Sequence, residues 1–144
     1  MGGAFSSAFL NLVGFFMGSY TNFGLLVVRL VLGVCLFMHG VAKIMNGVGG
    51  VKGMLAAKGI PEFVAYGVYL GEIVAPVMII LGLFCRIGAL LVLGLCVVIL
   101  YVAYPDLAAI NSHGGFKAEI LYLYLGISIC LIATGGGKFS IIKD

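Results

Sequence analysis

The stretch at residues 23–45, FGLLVVRLVLGVCLFMHGVAKIM, decides the fold. It is apolar over more than the roughly 20 residues an α-helix needs to cross the hydrocarbon core of a bilayer. Three basic side chains, Arg29, His39 and Lys43, nevertheless lie inside it. The rest of the chain repeats the bias: 63% of its 144 residues are hydrophobic and 9% are charged, and the mean hydropathy is +1.27. A chain this short has too much surface for its volume to hide so many apolar side chains, so many must face outward, which only lipid tolerates.

Working outward from that span, Asn46-Gly47 and Gly49-Gly50 close the helix with residues that stop one. VKGMLAAKG at residues 51–59 is too short and too charged to cross, and predicts a one- or two-turn helix at the interface. Pro61 suits the first turn of a second span over residues 62–84. A very short turn at Arg86 leads to a third span over residues 87–104, stopped by Pro105. After the loop PDLAAINSHGGFK, a fourth span is expected over residues 118–134, ending at Gly135-Gly136-Gly137. Upstream, residues 1–22 place Ser6, Ser7, Asn11, Ser19, Thr21 and Asn22 among phenylalanines, a pattern for an interfacial segment. The expectation is an all-α transmembrane four-helix bundle over residues 23–144 with an N-terminal interfacial segment over residues 1–22. Glycine is abundant, at 23 residues, and Gly33, Gly40, Gly67, Gly71 and Gly94 inside spans predict close helix contacts.

Several functions are disfavoured at once. The net charge of +3 includes no basic run, so nucleic acid is not an expected partner. Cys35, Cys85, Cys96 and Cys130 are isolated from one another and read as packing residues, not as a zinc site or a redox pair. His39 and His113 lack the neighbouring ligands that a metal site needs, and no haem, flavin or iron–sulfur signature is present.

What remains is a small set of ionisable groups at membrane depth, where burial is costly and usually tied to function. Glu72 falls near the middle of the second span and needs a partner. Pro76, four residues on, removes the N–H that the Glu72 carbonyl would accept. Arg29 is the expected partner of the Glu72 side chain, with Tyr69 or Tyr122 adding hydroxyls. His39 and Lys43 are four residues apart on one helix face. Glu119, opening the fourth span, is expected at their level as a second pair. Arg86 and Lys43 lie near span ends, where snorkelling competes with a functional role. The set could be polar glue between helices, or it could mark an ion, proton or substrate path.

At these residues the chain resembles the DoxX family of small four-helix membrane proteins, over about residues 23–144. The matching features are RxxxG (Arg29, Gly33), HGxxK (His39, Gly40, Lys43) and GExxxP (Gly71, Glu72, Pro76). LGxxxRxGA (Leu81, Gly82, Arg86, Gly88, Ala89), the acidic start at Glu119 and the glycine-rich end before Ser140 complete them. The resemblance implies a redox association, as in subunits of a thiosulfate:quinone oxidoreductase, and distant relatives that act as membrane chaperones.

The resulting expectation is a multi-pass protein of the bacterial inner membrane, serving as a subunit of a quinone-linked oxidoreductase or respiratory system. A quinone-like amphipathic ligand would occupy a polar intramembrane pocket, with Arg29 or His39 donating to a carbonyl and Glu72 or Glu119 passing protons. Electron transfer would need a separate, soluble catalytic subunit, and a homodimer is a further expected partner state. The alternatives are a non-enzymatic assembly factor or chaperone, and a small proton-coupled transporter.

Overall fold

A computed structural model describes residues 2–143, with side chains from Ser6 onward. Met1 and Asp144, the outer ends of the two expected regions, lie outside the described residues. The protein is an all-α integral membrane bundle. It consists of α1 (Gly2–Asn46), a short α2 (Gly49–Ala56), α3 (Glu62–Leu81), α4 (Cys85–Ala103) and α5 (Glu119–Thr134). Three of these, α1, α3 and α4, are long and apolar enough to span a bilayer. The expected fourth span, α5, has 16 residues, about 24 Å at 1.5 Å per residue and thus short of the ~30 Å hydrocarbon core. It packs most extensively against α4.

Helical periodicity assigns each helix its inward face. On α1 the buried positions are Arg29, Leu32, Gly33, Leu36 and Gly40; on α4 they are Cys85, Gly88, Ala89, Val92 and Cys96. Both sets recur at three- and four-residue spacing, the one-stripe pattern of an amphipathic helix turned so that the apolar majority faces lipid. Glycines let the stripes meet: a methyl group added at Gly33 would collide with Ile80, and one at Gly88 would come within 3.0 Å of Ile79. Leu32, Leu36, Ala75, Ile79, Ala89, Val92 and Leu131 fill the space between the helices.

Two boundaries differ from the sequence reading. α1 does not break near residue 22 but runs 45 residues without interruption, about 68 Å, roughly twice the hydrocarbon thickness. The polar residues expected to end it are accommodated within the helix: Thr21 Oγ1 donates to the Met17 carbonyl at 2.9 Å and Asn22 Nδ2 to the Gly18 carbonyl at 2.6 Å. The second span ends at Leu81, not residue 84, because Gly82 takes a left-handed conformation (φ 68°) and Phe84 follows with φ 47°. Gly82 N–H donates to the Ile79 carbonyl and Leu83 N–H to the Met78 carbonyl, a Schellman closure.

The carbonyls gathered at that turn explain Arg29. Its Nε donates to the Ile79 carbonyl at 2.8 Å and Nη2 to the Ile80 carbonyl at 3.0 Å. Nη1 donates to the carbonyls of Gly136 (2.9 Å) and Phe139 (3.2 Å) and to Ser140 Oγ (3.2 Å). The segment after α5 joins in, with Ile141 and Ile142 N–H groups donating to the carbonyls of Leu81 and Gly82. Arg29, fully buried, therefore joins α1, the end of α3 and the segment after α5 through main-chain oxygens. Its predicted pairing with Glu72 is not formed. An uncapped helix end in hydrocarbon is costly, and a planar guanidinium with five donors can serve several carbonyls at once.

Arg29→Met removes every one of these donors while keeping apolar bulk, and a loss of about 3 kcal/mol or more is expected. That corresponds to a fall of roughly 10 °C in the thermal unfolding midpoint in detergent. Arg29→Lys should recover only part of it, because an ammonium lacks the fork; an unchanged midpoint for Arg29→Met would contradict the capping role.

Candidate functional site

α3 is one rod with three windings. It is a 3-10 helix over Glu62–Gly67, a π-helix over Leu70–Val74 and an α-helix over Ala75–Leu81. Pro76 is the physical reason: without its N–H the regular ladder cannot pass Glu72, and the preceding turn widens. The freed Glu72 carbonyl lies against Gly40 of α1, so close that a methyl group there would overlap it. The bare Cα of Gly40 is thus what lets α1 and the widened turn of α3 touch.

That contact fixes which cation meets Glu72. Lys43, three residues beyond Gly40, places Nζ 2.6 Å from Glu72 Oε1 and 2.5 Å from Oε2. The carboxylate side chain is 3% exposed and the lysine 24%. Tyr69 Oη donates to the Lys43 carbonyl at 3.3 Å and steadies the same turn of α1. The pair forms one wall of a cavity of about 300 Å³ that is otherwise apolar. Val51, Met54 and Leu55 of α2, Gly67 and Gly71 of α3, and Gly94 and Leu95 of α4 line the rest of it. Leu70 and Val98, which also line the cavity, are half-exposed on the outer surface, so the space lies between α3 and α4 at the lipid-facing side.

The glycines divide into two roles. Gly71 is packed against Leu95, as the close-contact reading predicts, whereas a methyl group at Gly67 or Gly94 would meet nothing within 4 Å. Those two glycines leave room instead of bringing helices together. α2 is held over the cavity by Leu55, buried against Ala65 and Val68, and by Lys52, which donates to Tyr66 Oη at 3.0 Å. That hydrogen bond pushes the Lys52 ammonium above its ordinary pKa.

Of the residues predicted from sequence, Lys43, Glu72, Tyr69 and Pro76 come together here. Arg29 is committed to its carbonyl cluster and does not line the cavity. His39 is exposed on the outward side of α1, turned away by the one-residue step from Gly40. Glu119 is exposed at the start of α5, beside Gly115, and among the described residues no ion pair joins it to Lys43 or His39. Tyr122 donates to the Leu107 carbonyl at 2.5 Å and orders the preceding loop, and exposed Arg86 reaches the Ala133 carbonyl at 3.4 Å. No group of three or more metal-ligating side chains occurs among the described residues. Sequence reasoning missed the open glycines and the contribution of α2; the run of glycines between Gly47 and Gly59 was the available signal.

Chemically, the site offers one free hydrogen-bond donor and several acceptors. An ammonium carries three N–H groups, of which Glu72 takes two, and a carboxylate has about four lone-pair positions. Such a wall can donate to one oxygen and accept from one hydroxyl beside an apolar surface.

Residues 24–105 match the family model DoxX. The chain belongs to the DoxX family. A relative, the Bacillus subtilis (strain 168) protein named Putative oxidoreductase CatD, is 32% identical over 120 residues, which cover 83% of this chain and 84% of the relative. No solved structure matches. The matched range takes in every residue of the cavity from Lys43 to Val102. In this DoxX chain the sequence motifs sort into two clusters: RxxxG, the LG turn and Ser140 build the Arg29 cluster, whereas the Gly40–Lys43 and Glu72–Pro76 pieces build the ion pair.

Removing one partner strands the other charge in a low-dielectric site, so Glu72→Gln and Lys43→Met should each cost roughly 3 kcal/mol. The double variant should lose at least about 1 kcal/mol less than the sum. Chemical unfolding of the four proteins in detergent measures this, and strictly additive losses would show that the pair is not coupled.

Proposed function

We propose that this chain is the membrane subunit of a quinone-linked oxidoreductase system of the bacterial inner membrane, binding a quinone-like molecule in the cavity beside Lys43 and Glu72. The observation that carries this reading is a buried ion pair forming the one charged wall of an apolar cavity that opens toward lipid between α3 and α4. The name of the Bacillus subtilis relative supports a redox setting.

A quinone bound there would supply two-electron, two-proton chemistry, and a separate catalytic subunit would exchange its electrons. The chain's own residues do the rest. Lys43 Nζ presents its third N–H to a carbonyl oxygen, while Glu72 Oε1 and Oε2 accept from a hydroxyl and can take up or release its proton. Gly67 and Gly94 make room for the ring, and Leu95, Val98 and Val102 offer an apolar track for a tail along α4. α2 covers the charged end and keeps water from it.

Gly94→Leu fills the cavity at a position with no neighbour to displace, so the fold should tolerate it. Titration of a short-tailed ubiquinone or menaquinone analogue onto the purified protein should show at least tenfold weaker binding for Gly94→Leu with an unchanged unfolding midpoint. Equal binding by both proteins would sink the assignment of the cavity. Glu72→Gln that still folds and still binds, but no longer supports quinone-dependent turnover, would place proton handling on that carboxylate.

A further inference from the structure

The opposite end of the bundle carries a second concave site that the proposed function does not use. After α5 the chain turns through Gly135, Gly136 and Gly137, the first and last with φ of 73° and 76°. This loop, with Asn22, Thr134, Lys138 and Lys143, walls a cavity of about 270 Å³. Lys138 N–H donates to Asn22 Oδ1 at 2.6 Å, which pins the loop to α1.

Arg29 determines what the loop presents. It draws the Gly136 carbonyl inward onto Nη1, and in a trans planar peptide the next N–H, that of Gly137, must point the opposite way. The inner side of the loop is thus rich in acceptors directed at a buried cation, and its outer side presents a main-chain donor in a loop whose cavity is also lined by Lys138 and Lys143. The carboxyl end of α5 alone would favour a cation. Against that stand three positive charges, Arg29 behind the loop and Lys138 and Lys143 beside it, none of which forms an ion pair among the described residues. Among the described residues the balance favours an anion. Its level in the membrane follows from the same segment: Phe139 and Ile141, between the two lysines, are 53% and 68% exposed. Exposed apolar side chains flanked by lysines mark the headgroup boundary, where apolar groups enter lipid and ammonium groups stay with phosphates.

We infer that Lys138, Lys143 and the glycine loop form a phosphate site at the membrane surface, filled by the headgroup of an anionic phospholipid whose acyl chains lie along Phe139 and Ile141. The site is distinct from the Lys43–Glu72 cavity.

The test uses the full chain purified in a non-ionic detergent and titrated with dioctanoyl-phosphatidylglycerol or dioctanoyl-phosphatidylcholine, followed by calorimetry or phosphorus NMR. Phosphatidylglycerol should saturate one site at least tenfold more tightly than phosphatidylcholine. Lys138→Gln/Lys143→Gln should abolish that preference, Lys138→Arg/Lys143→Arg should keep it, and Gly94→Leu should leave it unchanged. Displacement by millimolar inorganic phosphate would assign the site to the free ion and overturn the lipid; retention of the lipid supports it. Equal affinity for the two lipids, or a double glutamine variant that binds as the wild type does, overturns the site altogether. Both lysines are solvent-facing, so the variants fold, and an unchanged unfolding midpoint verifies this.

Discussion

Hydrocarbon offers no hydrogen-bond partner, so each polar group taken into the bilayer must find one inside the protein. α3 departs from the regular ladder at two places, at the carbonyl of Glu72, which position 76 cannot serve, and at the carbonyls where the helix ends. A residue from α1 packs at each of these places. Gly40 receives the first by offering no side chain at all, and Arg29 caps the second with a guanidinium. The register between α1 and α3 is set by these two contacts, and the apolar side chains between them fill the interval.

Once α1 is placed by those contacts, the location of Lys43 follows. It stands within a turn of Gly40 and reaches the Glu72 side chain, so one residue of α3 supplies both the oxygen that meets Gly40 and the carboxylate that holds the lysine. The ion pair is therefore a product of the same irregular winding that brings the helices together. Its neutrality allows it to remain at depth, and the space beside it at Gly67 and Gly94 is open. The Arg29 cluster is the reverse case, a buried cation held by main-chain dipoles, fully enclosed and without a carboxylate.

Three of the four expected spans, the glycine stops and the stripe from Arg29 to Lys43 on α1 were legible in the sequence because helical periodicity and hydropathy are local properties. The partner of Glu72 was not. Arg29 and Lys43 lie on the same stripe, and choosing between them needs the vertical offset between two helices. That offset becomes readable from Gly40: Arg29 is 11 residues from it, about 16 Å along the axis, and Lys43 only about 4.5 Å. His39 failed for a related reason, since a one-residue step turns a side chain by about 100° around a helix, from the core to the surface. The cavity itself left little trace in the sequence, because glycines that hold space open look the same in a sequence as glycines that close it.

The meeting of Gly40 with the Glu72 carbonyl has an evolutionary corollary. Pro76 never touches Gly40 through a side chain of its own, yet it is the reason an oxygen points there. Restoring an amide hydrogen at position 76 would draw that oxygen back into its own helix and ease one of the contacts that limit position 40, where the Ile73 side chain also stands. The two sites are thus coupled in part through a main-chain oxygen that belongs to neither, and divergent descendants should alter them in concert.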